Sequence, residues 1–517
     1  YAPDGVFRDL PGFTVSETRA IAAEPLSAEN LRAFVAACRA HGPIRVQRAE
    51  AERLAALAGI SVAEAALALP GFWFRDRWDQ NFLRKEEREA LGLKVKEAAS
   101  ARDALLRIDV AARRALLEKA FDPEALFADP VARFAAAWSS QMGQRIAIPD
   151  EVMTLAAELL DDDDVNPATL LGAFVAPRDD DPLGTDGQWK MTAHGEPETE
   201  AKGAFDGATL HATVKLVATL FAERPVGDPF RAGIPQAVAR LQARLANPDL
   251  LLGGMRIEPD FPDEDDDAAM LKVTRAVLDG LGGEPFELGT AREKVPGRDT
   301  GGVVAVCADE YGIDLAVRPA KLVDLDAVRR IVGSTDASLW ALAYACSPGF
   351  ASIAARVAET PVADGGWETD PRQSAPATVA AVVQARGLDE DAATLYLQTL
   401  ALPNPSAANV KRWNDWTPAR YERAAAALVA ADLLIVAKRK RAGRNHFLPG
   451  GWEALDAPLP PLETWKLSLL GLEVDADGDV ETPPLDRLLL PAPLHVLFER
   501  AWARIIAGDV PRYREVR

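Results

Sequence analysis

Cysteine and histidine are scarce in this chain of 517 residues, and long apolar runs are missing. There are three cysteines, Cys38, Cys307 and Cys346, and no CxxC pair. That excludes a disulfide framework and a zinc site built mainly on thiolates. It fits a reducing, cytoplasmic setting. The five histidines, His41, His194, His211, His446 and His495, form no HxxxH or HExxH pair. The Ala-rich apolar stretches are broken by Arg, Glu or Asp every few residues. None approaches the roughly 18 uncharged residues of a membrane helix. No basic segment followed by an apolar core marks a signal peptide. Tyr1 opens the chain, which is therefore expected to be processed or a piece of something longer. Basic residues number 58 against 78 acidic ones, a net charge of −20. Nucleic acid therefore has no general electrostatic claim on this surface, and any contact needs a local basic island.

Apolar residues make up 48% and charged residues 26%, an ordinary globular composition. The length suggests about three domains. Ala, Leu, Arg and Glu recur at helical spacing through most of 28–160, 207–246, 268–281, 323–358 and 377–433. Strand signals are short: Gly302–Val306 with Ile313–Val317, Leu434–Ala437 with His446–Leu448, and Leu472–Val474 with Val480–Thr482. The expected fold is mainly α, multi-domain, with short β-hairpins and a C-terminal winged helix. Pro-, Gly- and Asp-rich stretches at 161–167, 177–205, 257–267, 285–302 and 361–376 read as loops or linkers. The expected division is a helical domain at 1–160, a helical middle domain with acidic linkers at 161–290, and a small mixed α/β or helical segment at 291–376. A winged-helix domain at 377–455 and a hairpin and helix at 456–517 complete it.

Gly59-Ile-Ser-Val-Ala-Glu-Ala-Ala66 matches Gly92-Leu-Lys-Val-Lys-Glu-Ala-Ala99, giving two helix–turn–helix units at 49–69 and 84–107. Each glycine is expected to end its helix in the left-handed conformation. Two copies do not define a repeat array.

The sharpest constellation lies at 389–452. Asp389–Leu402 reads as an amphipathic helix with Ala392, Leu395, Tyr396 and Leu400 on one side, stopped by Pro403. Ser406 can cap Ala407–Trp413. Thr417 then caps and Pro418 opens a third helix through Leu433, since proline belongs at the first helical position. A strand, the turn Lys438-Arg-Lys-Arg-Ala-Gly-Arg-Asn445 and a returning strand follow. Three helices and a hairpin in this order make the winged-helix variant of the helix-turn-helix. Between 405 and 452 stand nine basic residues, Lys411, Arg412, Arg420, Arg423, Lys438, Arg439, Lys440, Arg441 and Arg444, against Asp415, Glu422 and Asp432. That island carries +6 and leaves the remainder at −26. The nine are the candidate DNA-binding residues: the third helix for the major groove, the hairpin for phosphates. The same module also serves as a protein-docking element, and a basic hairpin tip is often only solvated.

Other motifs carry less. Asp475-Ala-Asp-Gly-Asp479 puts Val480 and Asp486 where a calcium loop needs glycine and glutamate, so a hairpin turn is expected. The acidic runs 161–164, 179–181 and 263–267 read as solvated. GxSxG and GxxxxGK[ST] are absent, and Gly297-Arg-Asp-Thr-Gly-Gly302 lacks the lysine of a phosphate cradle. His211 reads as a core or interface histidine and Cys346 as a buried small hydrophobe. The aromatic cluster Gly71-Phe-Trp-Phe-Arg-Asp-Arg-Trp78 reads as core, as do Trp413 and Trp416. No catalytic residue, metal or cofactor is expected.

Several segments together resemble a known group. They are Ala63-Glu-Ala-Ala-Leu67, Asn81-Phe-Leu83, Leu91-Gly-Leu-Lys-Val95, Asp326–Trp340, Gly365-Gly-Trp-Glu-Thr-Asp370 and Phe447-Leu-Pro-Gly-Gly-Trp452. They resemble large bacterial proteins, common in actinomycetes, labelled DNA-binding and similar to the MolR (molybdate-metabolism regulator) group. Members are often encoded beside a MoxR-type AAA ATPase and a von Willebrand A-domain protein. The resemblance implies a non-enzymatic cytoplasmic regulator, or a helical adaptor whose winged helix binds protein, in an assembly with such an ATPase. It transfers no catalytic residue.

Overall fold

The computed structural model of this chain describes residues 32, 36, 39, 40, 47–69, 85–106, 129–142, 148–161 and 165–513, less 180, 185–186, 202–203, 260–266, 290–293, 308, 310–311, 333–335, 473, 475–479, 481–482, 484 and 486. Cys38, His41, the 71–78 aromatic cluster and most of the acidic runs lie outside the described residues. The chain is mainly α-helical with small sheets. It separates into two compact units, 1–172 and 173–517.

The first unit contains α1 (Arg48–Ala58), α2 (Val62–Ala68), α3 (Lys85–Ala90), α4 (Val95–Leu106), α5 (Pro130–Met142) and α6 (Asp150–Leu159), and α7 (Pro167–Val175) spans the division. Gly59 and Gly92 both take positive φ, 66° and 67°, as the two-unit reading of 49–69 and 84–107 expected. A side chain is disfavoured there, so glycine ends each helix and turns the chain into the next. Ser61 and Glu64 exchange hydrogen bonds with each other's backbone N–H and fix the start of α2. Leu54, Leu67, Leu91, Leu93 and Trp138 close one apolar core.

The second unit begins with the two-residue hairpin β1 (Lys190–Met191) and β2 (Pro197–Glu198). Then follow α8 (Gly207–Glu223), α9 (Pro229–Ala232), α10 (Ile234–Leu245), β3 (Leu252–Ile257), α11 (Asp267–Gly280), β4 (Glu284–Gly289), β5 (Lys294–Asp299), β6 (Val303–Val306) and β7 (Ile313–Val317). The last five strands form an antiparallel sheet in the order β3-β7-β6-β5-β4. The expected pairing of 302–306 with 313–317 is the β6–β7 pair. The 285–302 stretch, read as a loop, is instead mostly strand. Its glycine has a packing reason: a Cβ on Gly297 would lie 2.3 Å from the Phe286 ring, which covers the opposite position in β4. Helices α12 (Leu325–Val332), α13 (Ala337–Ala345) and α14 (Pro348–Glu359) follow, and α8, α12 and α13 pack against β3.

Among the described residues no single helix is long and apolar enough to cross a membrane; α13 and α14 qualify only together, across a 50° bend. His211 of α8 shares a 3.2 Å hydrogen bond with Ser338 of α13 and is half-buried, as an interface histidine. Cys346, expected to be buried, is exposed, because it caps the end of α13 before the chain turns into α14.

The rest of the unit comprises α15 (Pro371–Ser374), α16 (Pro376–Arg386), α17 (Glu390–Ala401), α18 (Ala407–Asn414), α19 (Pro418–Ala430), β8 (Ile435–Val436), β9 (His446–Phe447), β10 (Trp452–Glu453), β11 (Leu462–Glu463) and α20 (Leu494–Ile506). Most of the expected 472–482 hairpin lies outside the described residues; an isolated bridge joins Val474 and Val480. Gly365–Asp370 is the strap between the helices around α8 and the α16–α20 bundle. Its glycines pair with the backbone of Val226 at 2.8 Å, and the Thr369 carbonyl accepts from Gln398 at 2.8 Å. Glu368 is fully buried between Arg231 and Arg356.

Candidate nucleic-acid interface

Local chemistry sets the three helices of the basic island. The Asp389 carboxylate accepts from the Ala392 N–H at 2.8 Å and caps α17. Ser406 caps α18 at 3.2 Å and Thr417 caps α19 at 3.3 Å, with Pro418 at the first helical position. Asp415 takes φ 52° between them, and Trp413 and Trp416 are buried as expected. One feature differs from the amphipathic helix read at 389–402. Every residue from Ala392 to Ala401 is buried, because α19 and α20 both pack on α17. A helix that will be covered on two sides is apolar or internally bonded all round. Two of its polar residues answer to this: Gln398 trades two hydrogen bonds with Asn414, at 2.8 and 3.0 Å, and the Thr399 hydroxyl donates to the Leu395 carbonyl at 2.8 Å, whereas the buried Thr394 hydroxyl has no partner among the described residues.

Strands β8 and β9 then pair antiparallel, Ile435 with Phe447 and Val436 with His446. The connecting turn folds back toward α18, where the Ala407 N–H donates to the Gly443 carbonyl at 3.0 Å. Burial pushes the His446 imidazole below its ordinary range, and its ring meets Tyr421 edge-on at 6.0 Å.

The nine basic residues fall into three groups. Lys438 and Lys440 are exposed on the hairpin turn, and Lys411 is half-buried on α18. Arg412, Arg420 and Arg423 are surface side chains closed onto carboxylates. Arg420 forms a two-pronged pair with Asp391 at 2.8 and 2.7 Å, and Arg423 reaches the same carboxylate at 3.3 Å. The Arg420 hydrogen bond holds the Asp391 carboxyl below its ordinary range. Arg412 pairs with Glu223 of α8 and lies 5.2 Å over the Trp367 ring. Burial raises the Glu223 carboxyl, opposed by Arg412.

The third group has become structural. Arg439 lies over Trp452 at 4.5 Å and Phe447 at 5.0 Å. Arg441, at φ 59°, donates to the carbonyls of Leu455 and Leu459. Arg444, expected on the hairpin surface, is buried. It grips both oxygens of Glu463, at 2.8 and 2.9 Å, and Glu463 also holds the fully buried Lys466 at 3.0 Å. An arginine committed to a buried carboxylate is not available to a phosphate.

Asp391, Glu223 and Glu463, which organise this site, were not singled out in the sequence. They sit 29, 189 and 19 residues from the arginines they hold, beyond any local spacing rule. Among the described residues no three His, Cys, Asp or Glu side chains gather as a metal site. No protein-family model, curated protein or solved structure matches the chain.

Proposed function

We propose that the 377–455 segment acts as a winged helix contacting DNA phosphates within a non-enzymatic regulator. The observation that carries this reading is the pair of exposed lysines, Lys438 and Lys440, on a hairpin that follows three capped helices. Arg412, Arg420 and Arg423 add to it. Their side chains are 48%, 37% and 67% exposed over carboxylates that are more covered, Glu223 at 29% and Asp391 at 12%, so each guanidinium can turn from its carboxylate to a phosphate at the surface. The contact is with the backbone more than the bases. The exposed face of α19 offers Ala419, Glu422, Arg423, Ala426 and Ala430, and only Arg423 suits a guanine edge.

Fluorescence anisotropy on a mixed-sequence duplex tests this. Lys438→Glu/Lys440→Glu is expected to bind about tenfold or more weakly at low salt, because each reversal removes one phosphate contact and adds a repulsion. Affinity equal to that of the unaltered protein overturns the reading. The alanine face of α19 favours one second reading, a helical adaptor whose module docks a protein, with the MoxR-type ATPase of the resembling group as the partner to try. Co-elution with that ATPase, abolished by Ala426→Arg and untouched by the lysine changes, is its expected signature.

A further inference from the structure

We propose that Glu223 and Asp391 hold the arginine face of this module in a self-paired state that nucleic acid must displace before it engages Arg412, Arg420 and Arg423. The inference rests on the DNA reading above. Both carboxylates come from outside α18 and α19: Glu223 from the end of α8, Asp391 from the first turn of α17. The guanidinium planes are already oriented. Arg412 lies on Trp367, and Arg420 lies 5.3 Å over Trp416, whose ring also receives Arg372 at 5.6 Å. A planar fork held on an aromatic face suits two oxygens of a carboxylate or of a phosphate equally. The Asp391 oxygens, at 2.7 and 2.8 Å from Arg420, therefore occupy positions that phosphate oxygens would take. One carboxylate also serves two arginines, Arg420 and Arg423, with Glu390 and Asp370 close enough to add to the field on Arg420. The contrast with Arg444 is the key to the distinction. Both halves of the Arg444–Glu463 pair are buried, whereas in the other three pairs the arginine is exposed over a largely covered carboxylate, so the guanidinium can leave while the carboxylate stays.

The test uses the full chain carrying Glu223→Gln and Asp391→Asn, with duplex affinity read over a series of salt concentrations. The variant is expected to bind roughly 3- to 30-fold more tightly at low salt, the range that two or three surface pairs span. Its log–log salt slope should stay within about 1 of the unaltered protein's, since the same arginines meet phosphates in both complexes once the carboxylates are displaced. A charge-matched control, Asp415→Asn with Asp432→Asn, changes net charge equally and frees no arginine. Both positions have φ near 50–55°, which asparagine tolerates. That control should change affinity by less than about twofold. Equal tightening in both variants, or none in the first, overturns the self-paired state while DNA binding itself stands. If no form of the protein binds, the DNA reading falls and this inference with it. Thermal unfolding of each variant confirms that it folds.

Discussion

Glu368→Gln is expected to destabilise the 173–517 unit by about 3–5 kcal/mol, the usual cost of removing one partner from a buried ion pair. The Glu368 side chain is fully buried, Arg231 is 2% exposed and Arg356 is 12% exposed. Glutamine keeps the size and one oxygen but takes the directly bonded counter-charge from two largely buried arginines, leaving Arg231 only the field of Asp228. Burial already pushes the Arg231 guanidinium below its ordinary value, so that site has little tolerance for unpaired positive charge. The damage should spread along the strap. Glu368 lies between the Gly365–Gly366 pairing with Val226 and the Thr369 and Asp370 contacts that lead to Gln398 and Arg372. Urea unfolding followed by tryptophan fluorescence measures the loss, with the exposed Glu359→Gln as a control expected to stay within about 0.5 kcal/mol. Equal midpoints for the two variants would show that the strap is not held by this charge.

Glu463→Gln is expected to cost a similar 3–5 kcal/mol, because Arg444 and the fully buried Lys466 then share no carboxylate. Lys466→Met is expected to be much milder, since the Arg444–Glu463 pair survives and a buried ammonium is replaced by an apolar chain of similar length. The two groups also set the pH dependence. Burial raises the Glu463 carboxyl, but Lys466 and Arg444 outweigh it and hold the group at about 2 against an ordinary 4.5. Between those values the unfolded chain binds the proton and the folded one does not, so this stabilisation is present above 4.5 and fades as pH falls toward 2. Burial brings the Lys466 ammonium down to about 8 from 10.5, with Glu463 opposing. There too the unfolded chain holds the extra proton, so stability rises from pH 8 to 10.5, by on the order of 3 kcal/mol. Unfolding of the unaltered protein and of Lys466→Met across that window should differ in slope. Parallel curves would contradict the buried ammonium.

The helices and hairpin of 389–448 were legible because their punctuation is local. Ser406, Thr417 and Pro418 fall at caps and a first turn, and Pro403 just past a C-cap, where hydrogen-bonding chemistry is decided by neighbours in sequence. The β6–β7 pair was legible for the same reason, as two apolar runs with a short connection. Strands β4 and β5 were not, because Pro285, Gly289, Pro296 and Gly297 give them the composition of a loop, and Gly253 and Gly254 interrupt the apolar pattern of β3. Only the ring of Phe286 across from Gly297 explains a glycine there. The basic residues themselves were visible, yet their partners were not. Whether an arginine meets solvent or a buried carboxylate depends on chain segments brought together by tertiary packing, and Arg444 and Arg423 look alike in sequence.

The central claim is that a basic module on an acidic protein contacts phosphates, and salt tests it most directly. Binding of the unaltered chain to a duplex should fall log-linearly with salt, with a slope of about −3 to −6 for contacts from Lys411, Lys438, Lys440 and the three exchangeable arginines. An affinity that does not change with salt, or no binding at low ionic strength across varied duplexes, would contradict it and leave the protein-docking adaptor as the reading to pursue.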